Sequence, residues 1–364
     1  MIASRVLLQR SALPKFKREH KMNALYILIA ILIFGVIIFV HELGHFIFAR
    51  IFGVTVNEFS IGMGPVLVSY TSKKTSIQYS LRALPFGGFV SMAGEDGESD
   101  DPNAFSKKAP WKRFIILAAG AVMNLLLGVV ITVILMCNMT LVSNTVGGFQ
   151  EGFEVKSSDS GLRIGDEIVA VDGTPVHIAQ EVIYEIMHEG SETIDVTVIR
   201  DGERLTIPVS FQTVAVDGML YGSSDLIFYR EEHNPLTVME HSVFYSIMTV
   251  RMIWDSLFDL IFGRISVEAV SGPIGITNEI SSAVASQDIS YLAYITIVIC
   301  MNVGVVNLLP IPALDGGRLL FLLIEIIRRK PLPEKVEGMV HGIGLMLLLL
   351  LMVFIAFKDV INLF

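Results

Sequence analysis

A chain of 364 residues that is 52% hydrophobic and only 17% charged, with a mean hydropathy of +0.63, is too apolar for a soluble globular protein and reads as a polytopic membrane protein. The net charge of -9 comes largely from stretches between the apolar runs, and no basic stripe with interleaved aromatics appears, so no nucleic-acid partner is expected. Two cysteines, Cys137 and Cys300, are too few for a disulfide scaffold; each falls in an apolar run, where a small buried hydrophobe is the expected role.

Residues 1–21 carry Arg5, Arg10, Lys15, Lys17, Arg18 and Lys21, a basic tail that reads as an N-terminal extension upstream of a start at Met22, the alternative being a first span whose topology is frustrated. The apolar run from Ala24 to Val40 lacks a small-residue cleavage site and predicts a retained span at about 23 to 45. It leads into His41-Glu42-Leu43-Gly44-His45. Two histidines four apart share a helix face and can reach one Zn²⁺, while the glutamate beside the first can act as general base on a metal-activated water. An ionisable side chain costs roughly 3 kcal/mol or more in hydrocarbon, so the motif's place inside a span marks it as functional.

The stretches Gly53 to Pro65 and Ile77 to Val90 alternate β-branched and aromatic residues between glycines and prolines, which predicts strands and turns. Strands beside a span must pair their backbone, so a small sheet next to the zinc motif is expected, dipping in part into the bilayer. Its edge could receive an extended substrate; a plain cytoplasmic hairpin is the competing reading. Residues 95 to 110 read as a polar loop, and Pro110-Trp111-Lys112-Arg113 as the interfacial anchor of a second span at about 114 to 138.

From about 145 to 213 the pattern is that of a soluble β-rich domain, with a helical stretch near Ala179 to His188 and the pairs Asp172-Gly173 and Asp201-Gly202 placed as hairpin turns. Its Gly161-Leu162-Arg163-Ile164-Gly165-Asp166-Glu167-Ile168 run resembles a PDZ domain, a fold that binds extended peptides at a sheet edge, although a steric role competes with binding. Leu236 to Ile265 predicts an amphipathic helix on the membrane surface or packed under this domain rather than a fifth span.

A third span at about 289 to 314 ends in Pro310-Ile311-Pro312-Ala313-Leu314-Asp315-Gly316-Gly317. Two prolines and a glycine pair break the helix at membrane depth, which is tolerated only where the break is buried in protein or lines a cavity. Asp315 beside that break could complete a His, His and Asp set with a fourth position open for water, as in catalytic zinc sites; an ion pair with Arg318 is the alternative. A fourth span follows at about 339 to 357. Lysines and arginines gather between the first two spans and between the last two, which places both loops in the cytoplasm and the segment from about 141 to 288 outside.

Together His41 to His45, Gly53 to Pro65, Phe86-Gly87-Gly88, Gly272-Pro273-Ile274-Gly275-Ile276 and Asn307 to Gly317 resemble the site-2 protease family of intramembrane zinc metalloproteases, most closely the bacterial RseP type. The resemblance covers nearly everything from Met22 onward. It implies zinc ligation by His41, His45 and Asp315, general-base catalysis by Glu42, and substrate-backbone or oxyanion contacts from Asn302 and Asn307. It also implies a membrane-reentrant hairpin at about 77 to 92 whose Gly87, Gly88 and Phe89 receive the substrate strand. The implied fold is a polytopic α-helical membrane protein with four transmembrane helices, a membrane-associated β-hairpin and one inserted extracytoplasmic PDZ-like α+β domain. Its expected parts are 22–140, with the first two spans and the reentrant β region; 141–232, the PDZ-like domain; 233–288, an amphipathic membrane-associated helical region; and 289–364, the last two spans.

The implied activity is site-2 cleavage of single-span membrane proteins, anti-sigma factors or remnant signal peptides, in the bacterial cytoplasmic (inner) membrane, with the zinc site near its cytoplasmic side. The single PDZ-like domain departs from the enterobacterial type, which has two. A non-proteolytic membrane scaffold with a peptide-binding PDZ domain is the alternative, and the intact Glu42 and Asp315 argue against it. A transporter fits less well, because no internal repeat is visible.

Overall fold

A computed structural model describes residues 24–95, 97, 99–189, 193–216, 219–264, 270–330 and 332–361. The basic tail expected at 1–21 lies outside the described residues. The chain opens with helix α1 (Ala24–Ile51), strands β1 (Val56–Thr71) and β2 (Gln78–Met92), and helix α2 (Pro110–Met136). There follow β3 (Val142–Phe149), β4 (Glu167–Val171), β5 (Thr174–Pro175), α3 (Ala179–Glu189), β6 (Thr193–Arg200) and β7 (Glu203–Ser210). The remainder is β8 (Gln212–Val216), β9 (Met219–Ser223), β10 (Leu226–Arg230), α4 (Pro235–Ile261), α5 (Pro273–Ala285), α6 (Ile289–Leu308), α7 (Asp315–Arg328) and α8 (Glu334–Ile361). These elements form two compact units: one from Thr132 to Ala269, the other from His20 to Ile131 together with Val270 to Phe364.

In the second of these units, apart from the last turn of α2, helices α1, α2, α6 and α8 carry the four segments that are long and apolar enough to cross a membrane: Leu25–Ile51, Pro110–Met136, Ile289–Leu308 and Lys335–Asp359. The protein is a multi-pass membrane protein. Small residues set the helix spacing. A Cβ on Gly44 of α1 would run into the Ala119 backbone of α2, and one on Gly304 of α6 would meet Leu125 and the Ala121 carbonyl of the same helix. Ala30 and Ile37 of α1 are buried against Ile280 and Ala283 of α5 and Ile295, Ile299 and Cys300 of α6. Cys300 is thus the buried hydrophobe expected, whereas Cys137 lies one residue beyond α2 and is exposed.

Two span boundaries differ from the sequence expectation. The first helix runs on through the histidine motif to Ile51, and the third stops at Leu308 rather than 314, because Leu309 turns extended ahead of Pro310 and Pro312, which have no N–H to donate. Helix α5 falls inside the 233–288 region expected to be helical but beyond the Leu236 to Ile265 periodicity. Its start is held by the far end of α8, where Asp359 accepts from the Gly275 N–H at 2.8 Å and Lys358 donates to the Val270 carbonyl at 2.5 Å.

Strands β1 and β2 form an antiparallel pair that folds back on itself. Val56 pairs with Met92 and Ile61 with Gly88, Val68 pairs with Leu81 and Thr71 with Gln78, and the Glu58–Ile61 stretch also lies beside Gln78–Leu81. The folding points are Gly62, Gly64 and Gly87, whose φ values of 84°, 83° and 82° lie in the left-handed region. Val56, Phe59, Val90 and Met92 pack this sheet against Ala49 of α1, Ile116 of α2 and Leu319 of α7.

In the other unit a sheet runs in the order β10-β3-β4-β6-β7, with β5 on β4, and β8 and β9 form a separate hairpin. Its core gathers Val146, Ile168, Val182, Ile186, Val196 and Val209. The Asp-Gly pairs turn as expected: Asp172 and Gly173 have φ of 45° and 78°, Asp201 and Gly202 52° and 83°. Asp166 of the Gly-Leu-x-x-Gly-Asp run is 1% exposed and accepts from Arg200 Nε at 2.7 Å and from the Arg163 N–H at 2.8 Å. Burial raises its pKa, but these donors outweigh that and hold it below the usual carboxylate range.

Helix α4 is capped by Asn234, with Pro235 in its first turn. It packs on α3 through a polar seam: Tyr184 donates to Asp255 at 2.7 Å, Arg251 to Glu185 at 2.5 Å, and His188 lies 3.1 Å from Asp259. His177 stacks on Phe244 at 3.9 Å. Met239, Val243, Ile247, Trp254 and Phe258, at helical spacing, leave an exposed apolar face on the same helix.

Candidate metal centre

His41 and His45 occupy successive turns of α1 and converge: their Nε2 atoms are 3.2 Å apart. Asp315, at the first turn of α7, brings Oδ2 to 3.0 Å from His41 Nε2 and 3.3 Å from His45 Nε2. Among the described residues these three form a group whose potential ligand atoms all lie within 4.8 Å of one another. The competing partner of Asp315, Arg318, instead donates to Glu95.

The chain between α6 and α7 is what aims Asp315. The Ile311 N–H closes on the Leu309 carbonyl at 2.6 Å, Ala313 takes a φ of 75°, and its N–H donates to His341 Nδ1 of α8 at 2.9 Å. Gly316 and Gly317 sit so close under this knot that a Cβ on either would enter the backbone of Leu309 or Ile311. Further along α7, Glu325 receives two bonds from Arg113 of α2, at 3.1 and 2.5 Å, which tie the aspartate-bearing helix to its neighbour.

Helix α2 presents a stripe to the histidines at four-residue spacing. The Ile116 carbonyl lies 2.8 Å from His45 Nδ1 and accepts its proton, which leaves Nε2 with a free lone pair. Gly120 comes next, where a Cβ would meet the Nε2 atoms of both histidines. Asn124, fully buried, lies 3.3 Å from His41 Nδ1. None of these was singled out from the sequence. Asn124 carried a signal, being a lone amide in the middle of an apolar run.

The donor set suits zinc. Tetrahedral zinc with bonds of about 2.0–2.1 Å separates its ligand atoms by about 3.3 Å, close to the 3.0, 3.2 and 3.3 Å found. Asp315 Oδ2 is buried without a hydrogen-bond partner, an unsatisfied acceptor aimed at the same point as two imidazole nitrogens.

Glu42 is half-buried, and its Cγ lies 2.9 Å from where a Cβ on Gly88 of β2 would fall, so the hairpin passes close against it. Gly87 packs against Met63, and Arg82 stacks over the Phe89 ring at 4.9 Å. The two predicted asparagines stand apart from the trio in their bonding: Asn302 is exposed on α6, and Asn307 donates to the Val303 carbonyl one turn back at 2.9 Å.

Comparison with known proteins agrees with this chemistry. Residues 29–351 match the family described as peptidase family M50. A protein of Clostridium acetobutylicum whose name describes it as a zinc metalloprotease is 36% identical over 344 residues, covering 93% of this chain and 98% of its own. A second, from Fusobacterium nucleatum, is 34% identical over 357 residues, with 93% and 99% covered. The regulator of sigma-W protease RasP of Bacillus subtilis is 29% identical over 415 residues, with 92% and 98% covered.

Proposed function

The chain belongs to peptidase family M50, the site-2 protease family of zinc metalloproteases, and from that premise we propose that His41, His45 and Asp315 hold its zinc and that Glu42 is the general base of peptide hydrolysis within the membrane. The observation that carries this reading is the convergence of three ligand atoms, from helices at opposite ends of the chain, at tetrahedral spacing. Zinc, when bound, lowers the pKa of a coordinated water towards about 7 and polarises the scissile carbonyl. Glu42 takes the proton of the attacking water and returns it to the leaving amine. The amides of Asn302 and Asn307 hold the substrate backbone or the oxyanion as the bond breaks.

A transmembrane substrate hides its carbonyls in its own helix and must unwind to be cut. Pairing with the hairpin at Gly87, Gly88 and Phe89 replaces the lost backbone bonds, and the contact of Gly88 with Glu42 supports this, since a strand docked there lies within reach of the base. The substrates are single-span membrane proteins already trimmed outside the membrane. The name of the Bacillus subtilis relative favours anti-sigma factors, and remnant signal peptides share the required chemistry.

The segment 141–232 is a PDZ-like domain, supported by its Gly161–Ile168 run, its five-strand path and helix α3, and it excludes bulky substrates. The 233–288 region lays the apolar face of α4 on the membrane surface. The enzyme sits in the bacterial inner membrane with this domain outside and the zinc site near the cytoplasmic face.

Cleavage of a model single-span protein by wild type and Glu42→Gln tests the mechanism, and equal rates would sink it. Purified protein is expected to hold one zinc, lost in His45→Ala; zinc-free wild type would favour the scaffold reading.

A further inference from the structure

The two zinc-site histidines need the same tautomer. A histidine that binds metal through Nε2 carries its proton on Nδ1, and that proton needs an acceptor to fix the ring. His45 has one in the Ile116 carbonyl at 2.8 Å. At the corresponding place beside His41 stands Asn124, eight residues further along the same face of α2, with an amide nitrogen 3.3 Å from His41 Nδ1. Its other amide atom, Oδ1, is buried with no hydrogen-bond partner.

An amide's nitrogen and oxygen are nearly identical in shape, and which one faces a neighbour is assigned from the bonding it must satisfy. With the nitrogen towards His41, Nδ1 must accept, and the ring proton then sits on Nε2, in the midst of the three ligand atoms. With the oxygen towards His41, Nδ1 donates and Nε2 is free to ligate. The turn exchanges an unpartnered oxygen for an unpartnered N–H, which the coordinate bond it permits at His41 offsets.

We infer that Asn124 is a positioning residue for the metal centre: its side-chain oxygen accepts the Nδ1 proton of His41 and holds that histidine in its ligating tautomer. The inference rests on the zinc site proposed above. It also explains why a polar side chain is kept at a fully buried place in an otherwise apolar span, since the stripe Ile116, Gly120, Asn124 supplies an acceptor, a gap and a second acceptor in register with His45 and His41.

The test is the zinc affinity of the full chain purified in detergent, measured by competition with a chromophoric chelator, for wild type, Asn124→Leu and Asn124→Asp. Asn124→Leu keeps the volume and removes the acceptor, and is expected to weaken binding about 10- to 100-fold, the usual cost of losing an outer-shell partner. Asn124→Asp has only acceptors to offer and is expected to stay within about threefold of wild type or to bind more tightly. Cobalt-substituted Asn124→Asp should keep the wild-type absorption spectrum. Leu equal to wild type overturns the inference. So does Asp as weak as Leu, which would mean that the amide N–H matters, and this comparison with wild type decides alone if the Leu variant does not fold. Wild type without zinc is a separate failure, of the site itself.

Discussion

Gly120 has no side chain at a point where two imidazole rings need the room, and the cost of adding one can be measured. A Cβ there meets both Nε2 atoms, so Gly120→Ala is expected to lower zinc occupancy and proteolysis together. Gly35→Ala is the control, because a Cβ at Gly35 meets nothing within 4 Å; melting temperature and zinc content should match or exceed wild type, helped by up to about 1 kcal/mol of helix propensity. Gly316→Ala should resemble Gly120→Ala for another reason. Its Cβ would enter the Leu309 carbonyl, opening the knot that aims Asp315, and zinc should be lost while far-UV helicity persists. At this scale the histidine motif and the Pro-x-Pro-x-x-Asp-Gly-Gly break are legible in the sequence, because their chemistry depends on spacing along one chain. Gly120 is not legible, because a glycine in an apolar helix looks the same whether or not a ring lies over it.

Between elements, the α3–α4 seam is where charge and pH meet outside the spans. Burial lowers the pKa of His188, but Asp259, Asp255 and Glu189 around it prevail and raise it above the ordinary value. Burial also raises Glu185, only partly offset by Arg251. Both shifts have the same sign. A pKa raised by folding contributes stability below the unfolded value and loses it as pH climbs through the folded one. The unit carrying the seam should therefore melt higher at about pH 6 than at about pH 8, since unfolded histidine titrates near 6.5. In His188→Gln that difference should shrink, as read by scanning calorimetry; an unchanged difference would mean that other groups carry it. The amphipathic pattern of α4 foretells a helix with two unlike faces. That Arg251, Asp255 and Asp259 meet Glu185, Tyr184 and His188 is not legible, because the helix period does not name the partner.

For the whole molecule, the sequence predicts which side of the membrane each loop occupies, and the two cysteines offer a direct test. Cys137 is exposed just beyond α2, while Cys300 is buried. If the segment after α2 lies outside, a membrane-impermeant maleimide should label intact cells through Cys137 alone, and Cys137→Ser should abolish the signal; labelling only after lysis would invert the topology. The sequence by itself determines the membrane class, four spans, the pair of metal motifs and the β character of the stretches between them, because hydropathy, helix period and turn chemistry are local properties. Tertiary structure alone decides that Asp315 faces two histidines rather than Arg318, that Gly88 of the hairpin lies against Glu42, and that Ile116 and Asn124 meet the Nδ1 side of the rings while Gly120 leaves room for their Nε2 atoms. Those contacts depend on helices approaching to backbone distance across small residues, a geometry set by every packed neighbour at once and written at no single position of the chain.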